Sequence, residues 1–200
     1  MEFWLASTPW PGVILWIILY ISDYYLTIYS ARGFHETGHF RFEVFELTPK
    51  FQSEINALKP ISKLHITLLF LYSLLIIFIW WFTSLLPYFP WTYLLYLGMF
   101  LLMEVAIHFR HLRNVSLVRE IRRSRGDGVE GQIFYRKWFS YKISAAEFYT
   151  FSTLFLIIAI LSYSTFFLGG ALMCFGIGFR HSRWAKKAKL DPSPVIGPQI

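Results

Sequence analysis

Met103-Glu104-Val105-Ala106-Ile107-His108-Phe109-Arg110-His111 closes the third long apolar run of this 200-residue chain. Glu104, His108 and His111 stand at i, i+4 and i+7, so a helix places all three on one face. The twelve residues before Met103, Trp91 to Leu102, hold no charge. A carboxylate after such a run falls inside a bilayer, where ionisable groups are costly and usually functional.

The rest of the chain fits that setting. With 56% hydrophobic and 20% aromatic residues, the composition is that of a membrane protein rather than a soluble domain. Several apolar runs approach the ~20 residues that cross a hydrocarbon core. The net charge of +7 sits beside those runs, which favours the cytoplasmic face of a membrane over nucleic acid as its partner. The single Cys174 excludes an intramolecular disulfide and a multi-cysteine metal site. Met1-Glu2-Phe3-Trp4 lacks the positive region of a signal peptide, so no removal is expected.

Hydropathy and charge predict an all-α polytopic bundle with five transmembrane helices at about 10–30, 64–86, 91–112, 145–163 and 166–179. Residues 1–190 then form one transmembrane domain, with 191–200 as a disordered, proline-rich tail. No Lys or Arg precedes the first span, whereas Arg32 and Arg41 follow it, which puts the N-terminus outside and the C-terminus in the cytoplasm. The loops 31–62 and 113–143 are then cytoplasmic. In the first, Thr48-Pro49 reads as a helix start, and Phe51, Ile55 and Leu58 as the apolar face of a short surface helix. His35 and His39 straddle Gly38, which argues against a shared helix. In the second, a continued helix to about Ser124 is expected, then a break at Gly126-Asp127-Gly128 and a strand or interfacial segment over 133–141. Trp80, Trp81, Tyr88 and Trp91 form an outer aromatic belt. Ser144 and Glu147 read as a capping box opening the fourth span. Gly170, Cys174 and Gly178 make a small-residue stripe suited to close helix packing.

Asp23, His65, Glu104, His108, His111 and Glu147 all fall near the inner ends of their spans, so a shared polar cavity open to the cytoplasm is expected. Asp23 lies about 20 Å from the outer start of the first span at 1.5 Å per residue. Three readings of this cluster stand. In the first, Asp23, Thr27, Glu104 and His108 form an ion or proton pathway, with the histidines relaying. In the second, Asp23, Glu104, His108 and His111 bind a divalent metal such as zinc, iron or manganese. In the third, the cluster is a structural network. No catalytic nucleophile is recognised, since Ser22, Ser144 and Ser152 lack a glycine-flanked elbow. Arg110, Arg113, Arg136 and Lys137 are placed to meet anionic lipid headgroups on the cytoplasmic side.

Asp23-Tyr24-Tyr25-Leu26-Thr27 and Glu46-Leu47-Thr48-Pro49 together resemble an uncharacterised family of small prokaryotic polytopic membrane proteins. The resemblance implies a prokaryotic inner membrane and no activity. The function expected from the residues is a small homo-oligomeric ion or solute channel or transporter. The alternatives are a membrane-embedded metal-dependent enzyme acting on lipid substrates, or a non-catalytic subunit of a membrane complex.

Overall fold

A computed structural model describes residues 3–125 and 127–190. The expected disordered tail and Gly126 of the expected helix break lie outside the described residues. Among the described residues seven helices appear in chain order: α1 (Phe3–Ser7), α2 (Trp10–Thr37), α3 (Gln52–Asn56), α4 (Lys63–Ser84), α5 (Trp91–Arg123), α6 (Lys137–Ser162) and α7 (Thr165–Leu190). Four of them, α2, α4, α5 and α6, are long and apolar enough to cross a membrane. Helix α7 is of similar length, but its continuous apolar run ends at Phe179 and a basic stretch begins at Arg180. The all-α expectation holds apart from two short strands, β1 (Phe40–Phe42) and β2 (Ile133–Tyr135).

Helix α5 is the centre of the bundle, touching α2, α4 and α7, while α6 packs on α7. Two apolar clusters follow from its two faces. Tyr93, Leu94, Leu97 and Leu101 meet Val13, Trp16 and Tyr20 of α2 and Ile76 of α4. Leu102 and Ala106 meet Phe148 and Phe155 of α6 and Ala171, Cys174 and Ile177 of α7. In lipid, such packing depends on shape, because apolar surface has no water to escape. Small residues supply the shape: a Cβ at Gly98 would overlap the Phe166 carbonyl oxygen, and one at Gly169 would overlap that of Leu95. The stripe of Gly170, Cys174 and Gly178 is therefore spent inside the protomer, against Leu102 and Tyr149, and offers no free face to a second copy.

The strands lie at the end of the bundle that carries the basic residues. Helix α2 runs past its expected end at Ser30 to Thr37, taking in His35, and stops where Gly38 adopts a left-handed conformation (φ 69°). Gly38 returns its N–H to the Phe34 carbonyl, a cap that glycine makes without Cβ strain. The chain then enters β1, which pairs in parallel with β2, Phe40 opposite Ile133 and Phe42 opposite Tyr135. Some ninety residues separate these strands, the long connection that parallel pairing needs.

Three local expectations fail. Helix α3 is a single turn capped at Phe51 rather than Thr48, and it ends before Leu58, which has positive φ although Phe51, Ile55 and Leu58 still pack as one apolar face against Tyr24 and Ile28. The Thr48 N–H is instead taken by the Glu46 carboxylate at 2.7 Å. Helix α6 begins at Lys137, whose N–H meets the Glu43 carboxylate at 2.9 Å, so Ser144 and Glu147 form no capping box.

Gly169→Ala forces α5 and α7 apart and is expected to lower stability by about 1–3 kcal/mol. Gly176→Ala, where a Cβ would meet nothing within 4 Å inside the helix, is expected to cause no loss and to raise stability by up to about 1 kcal/mol. Thermal unfolding of the two variants in detergent makes the comparison.

Candidate functional site

The expected polar stripe of α5 meets α2 along one seam. Asp23 Oδ1 lies 2.9 Å from Nε2 of His111, and Thr27 Oγ1 lies 3.2 Å from the same nitrogen. The Thr27 hydroxyl donates to the Asp23 carbonyl at 2.9 Å. Its oxygen accepts from Nε2–H of His111, while Asp23 Oδ1 stands beside that nitrogen in close contact and makes no hydrogen bond among the described residues. In a neutral ring Nδ1 is then an acceptor. It is buried and makes no hydrogen bond among the described residues.

His108 has a different partner. The Glu104 carbonyl, which can only accept, lies 2.7 Å from Nδ1 of His108, so Nδ1 carries a proton. Nε2 lies 2.6 Å from Ser22 Oγ, whose hydroxyl donates to the Leu19 carbonyl at 3.0 Å. With both ring nitrogens used, His108 has none left for a shared ligand or for relay to Asp23. Among the described residues, no three His, Cys, Asp or Glu side chains are grouped to hold a metal ion. The set Asp23, Glu104, His108 and His111 does not converge.

Glu104 lies one turn deeper on α5. It is 2% exposed, and its Oε2 has no hydrogen-bond partner among the described residues. Asp23 and Arg110 are close enough to act on it electrostatically. His65 stands apart from the seam, its ring stacked on Tyr20 at 4.1 Å and tilted against Tyr24 at 4.5 Å. Glu147 pairs with Arg113, which is a further departure from one cavity shared by all six groups.

A cleft of about 200 Å³ opens beside the seam at the basic end. His111 and Thr27 form its floor, and Arg110, Arg113, Ser144 and Glu147 form one wall. Phe34, Phe42, Phe45 and Tyr135 roof it in mutual ring contact, with Phe42 stacked on Tyr135 at 4.9 Å. Arg110 turns inward and donates to Ser144 Oγ at 3.0 Å. The same Ser144 hydroxyl is hydrogen-bonded to Nδ1 of His181 at 3.0 Å. Glu46 also lines the cleft. Burial pushes its carboxyl above the usual carboxylate range, opposed by the Thr48 N–H.

Ser22, Ser144, Glu46 and the aromatic roof are functional neighbours that the sequence reading did not select. Ser22 had a signal, being a polar residue beside Asp23 in an apolar run. The roof had none, because its residues come from segments that pair only in the folded chain. No family model, curated protein or solved structure matches this chain, so the functional reading rests on its geometry.

Ser144→Ala leaves a guanidinium and a buried imidazole without their shared partner and is expected to cost about 1–3 kcal/mol in chemical denaturation. Glu46→Gln tests the buried carboxyl. Its folded-state pKa is raised, so the penalty is absent at low pH and grows as pH rises through the raised value. The variant is expected to gain thermal stability over the parent at neutral pH and to match it near pH 4. A gap that narrows with rising pH would contradict the assignment.

Proposed function

We propose that this chain is an integral membrane protein of five spans whose α2–α5 seam carries protons or small cations between the cleft and the membrane interior. In this reading α7 crosses through its apolar first half. The N-terminus is outside, and the basic end, with the strands and cleft, faces the cytoplasm. The Lys and Arg distribution supports that orientation: Arg119, Arg122, Arg123, Arg136, Lys137, Arg180 and Lys186 all lie at the end opposite the Trp81–Trp91 turn.

One observation carries the proposal. The Glu104 carboxylate is buried within electrostatic reach of Asp23, one of its oxygens making no hydrogen bond among the described residues, and His111 lines the cleft. A purely structural carboxylate at such depth would be expected to hold a full set of partners, because leaving a buried polar group unpaired costs about 1–3 kcal/mol or more. His111 has the geometry of a relay. Nδ1 takes a proton from the cleft while Nε2 releases one toward Asp23, and the ring then resets. Beyond Glu104, Trp16 Nε1 and Tyr93 Oη are further buried polar atoms without partners among the described residues. They extend a sparse polar line toward the other end of the bundle.

The metal-dependent enzyme has no comparable support, since His108 is committed to Ser22 and the Glu104 carbonyl. Homo-oligomeric assembly remains part of the proposal through α4, which exposes Phe70, Leu71, Phe78 and Phe82 on an apolar surface free of the bundle.

Glu104→Gln removes the titrating group while keeping its volume. Proton flux into liposomes, followed with an internal pH-sensitive dye, is expected to fall at least tenfold with elution and unfolding temperature unchanged. Flux equal to the parent protein would remove Glu104 from the path.

A further inference from the structure

The cleft holds more unsatisfied chemistry than a proton relay needs. Three buried atoms of its lining make no hydrogen bond among the described residues: Nδ1 of His111, Oγ of Ser140 and Oε2 of Glu147. His111 is 5% exposed, so its free nitrogen is not simply facing bulk water. Arg110 adds a cation to this set. A guanidinium has five N–H donors, and Arg110 donates one to Ser144, with no carboxylate within ion-pair distance among the described residues.

The charges of the lining discriminate between ligands. Arg110 and Arg113 are balanced by Glu46 and Glu147. A simple anion placed on Arg110 would leave the free acceptors of Glu147 and His111 unmatched. A simple cation placed on those acceptors would leave the donors of Arg110 unmatched. A molecule bearing both charges satisfies both sets. The aromatic roof suits the cationic end, since an ammonium is attracted to the face of an aromatic ring.

Size narrows the choice further. A dry cavity of roughly 150 Å³ holds a benzene molecule. A cleft of about 200 Å³ therefore takes a ligand only modestly larger, the size of an amino acid or a phosphorylated ethanolamine and far short of a whole phospholipid.

We propose that the cleft binds a small zwitterion, its carboxylate or phosphate held by Arg110 and Ser140 and its ammonium by Glu147 and His111 beneath the Phe42–Phe45 roof. The same chemistry is presented by a free amino acid, by phosphoethanolamine and by the headgroup of phosphatidylethanolamine. The site shares His111 with the proton path but does not depend on it. Failure of flux in Glu104→Gln and failure of binding here are separate results.

The test is isothermal titration of the full chain in detergent. The probes are leucine and phosphoethanolamine, with inorganic phosphate and ethanolamine as single-charge controls. At least one zwitterion is expected to bind ten times more tightly than either control. Arg110→Gln is expected to weaken that binding at least tenfold. Ser140→Ala is expected to weaken it about threefold with no change in unfolding temperature, because the Ser140 hydroxyl makes no hydrogen bond among the described residues. Equal binding of phosphate and the zwitterions, or full binding by both variants, would overturn the proposal. Nanodiscs then identify the source. Displacement of the bound probe by phosphatidylethanolamine but not phosphatidylglycerol assigns a lipid headgroup, and retention of the probe assigns a free solute.

Discussion

The contact between Asp23 of α2 and His111 of α5 is the constraint on which the rest of this structure turns. A polar group in an apolar bundle must find its partner on a neighbouring helix, since the surrounding medium supplies none. Ser22, Asp23 and Thr27 on α2 meet His108 and His111 on α5, which fixes both the rotation and the axial register of the two helices. Once that register is set, Leu102, Ala106 and Gly98 of α5 face the other way, toward α6 and α7. Apolar packing could tolerate a slide of one helix along the other; the polar seam does not.

The cleft is a consequence of helices that outrun the apolar part of the chain. Helices α2 and α5 both extend well past Asp23 and His111, to Thr37 and Arg123. Gly38 turns the backbone so that β1 can reach β2, and this pairing brings aromatic residues over Arg110 and His111. Lys137 N–H on Glu43 ties the start of α6 to the same roof. The cleft is therefore enclosed by elements from both halves of the chain, with a polar wall and an aromatic ceiling.

Much of this was legible in the sequence, and the failures share a cause. The spacing of Glu104, His108 and His111 announced one face of one helix, and Asp23 in an apolar run announced a partner for it. The periodicity could not say that His108 would turn to Ser22 while His111 turned to Asp23, since that depends on the crossing of two helices. The Ser144–Glu147 pattern fitted a capping box, but the helix starts two turns earlier, where Glu43 supplies a remote cap that no local rule contains. The stripe of Gly170, Cys174 and Gly178 correctly marked close packing, and the sequence could not tell contact within a subunit from contact between subunits. The strand over 133–135 was one of two open readings, and its partner ninety residues away was invisible to local patterning.

A double-mutant cycle at Asp23 and His111, using Asp23→Asn and His111→Gln singly and together, reads the seam most directly. Equilibrium unfolding in detergent should give a coupling energy of at least about 1 kcal/mol, within the 0.5–3 kcal/mol typical of residues in contact. Additive effects, with a coupling below about 0.3 kcal/mol, would mean that the two side chains do not meet, and the account built on their contact would fail.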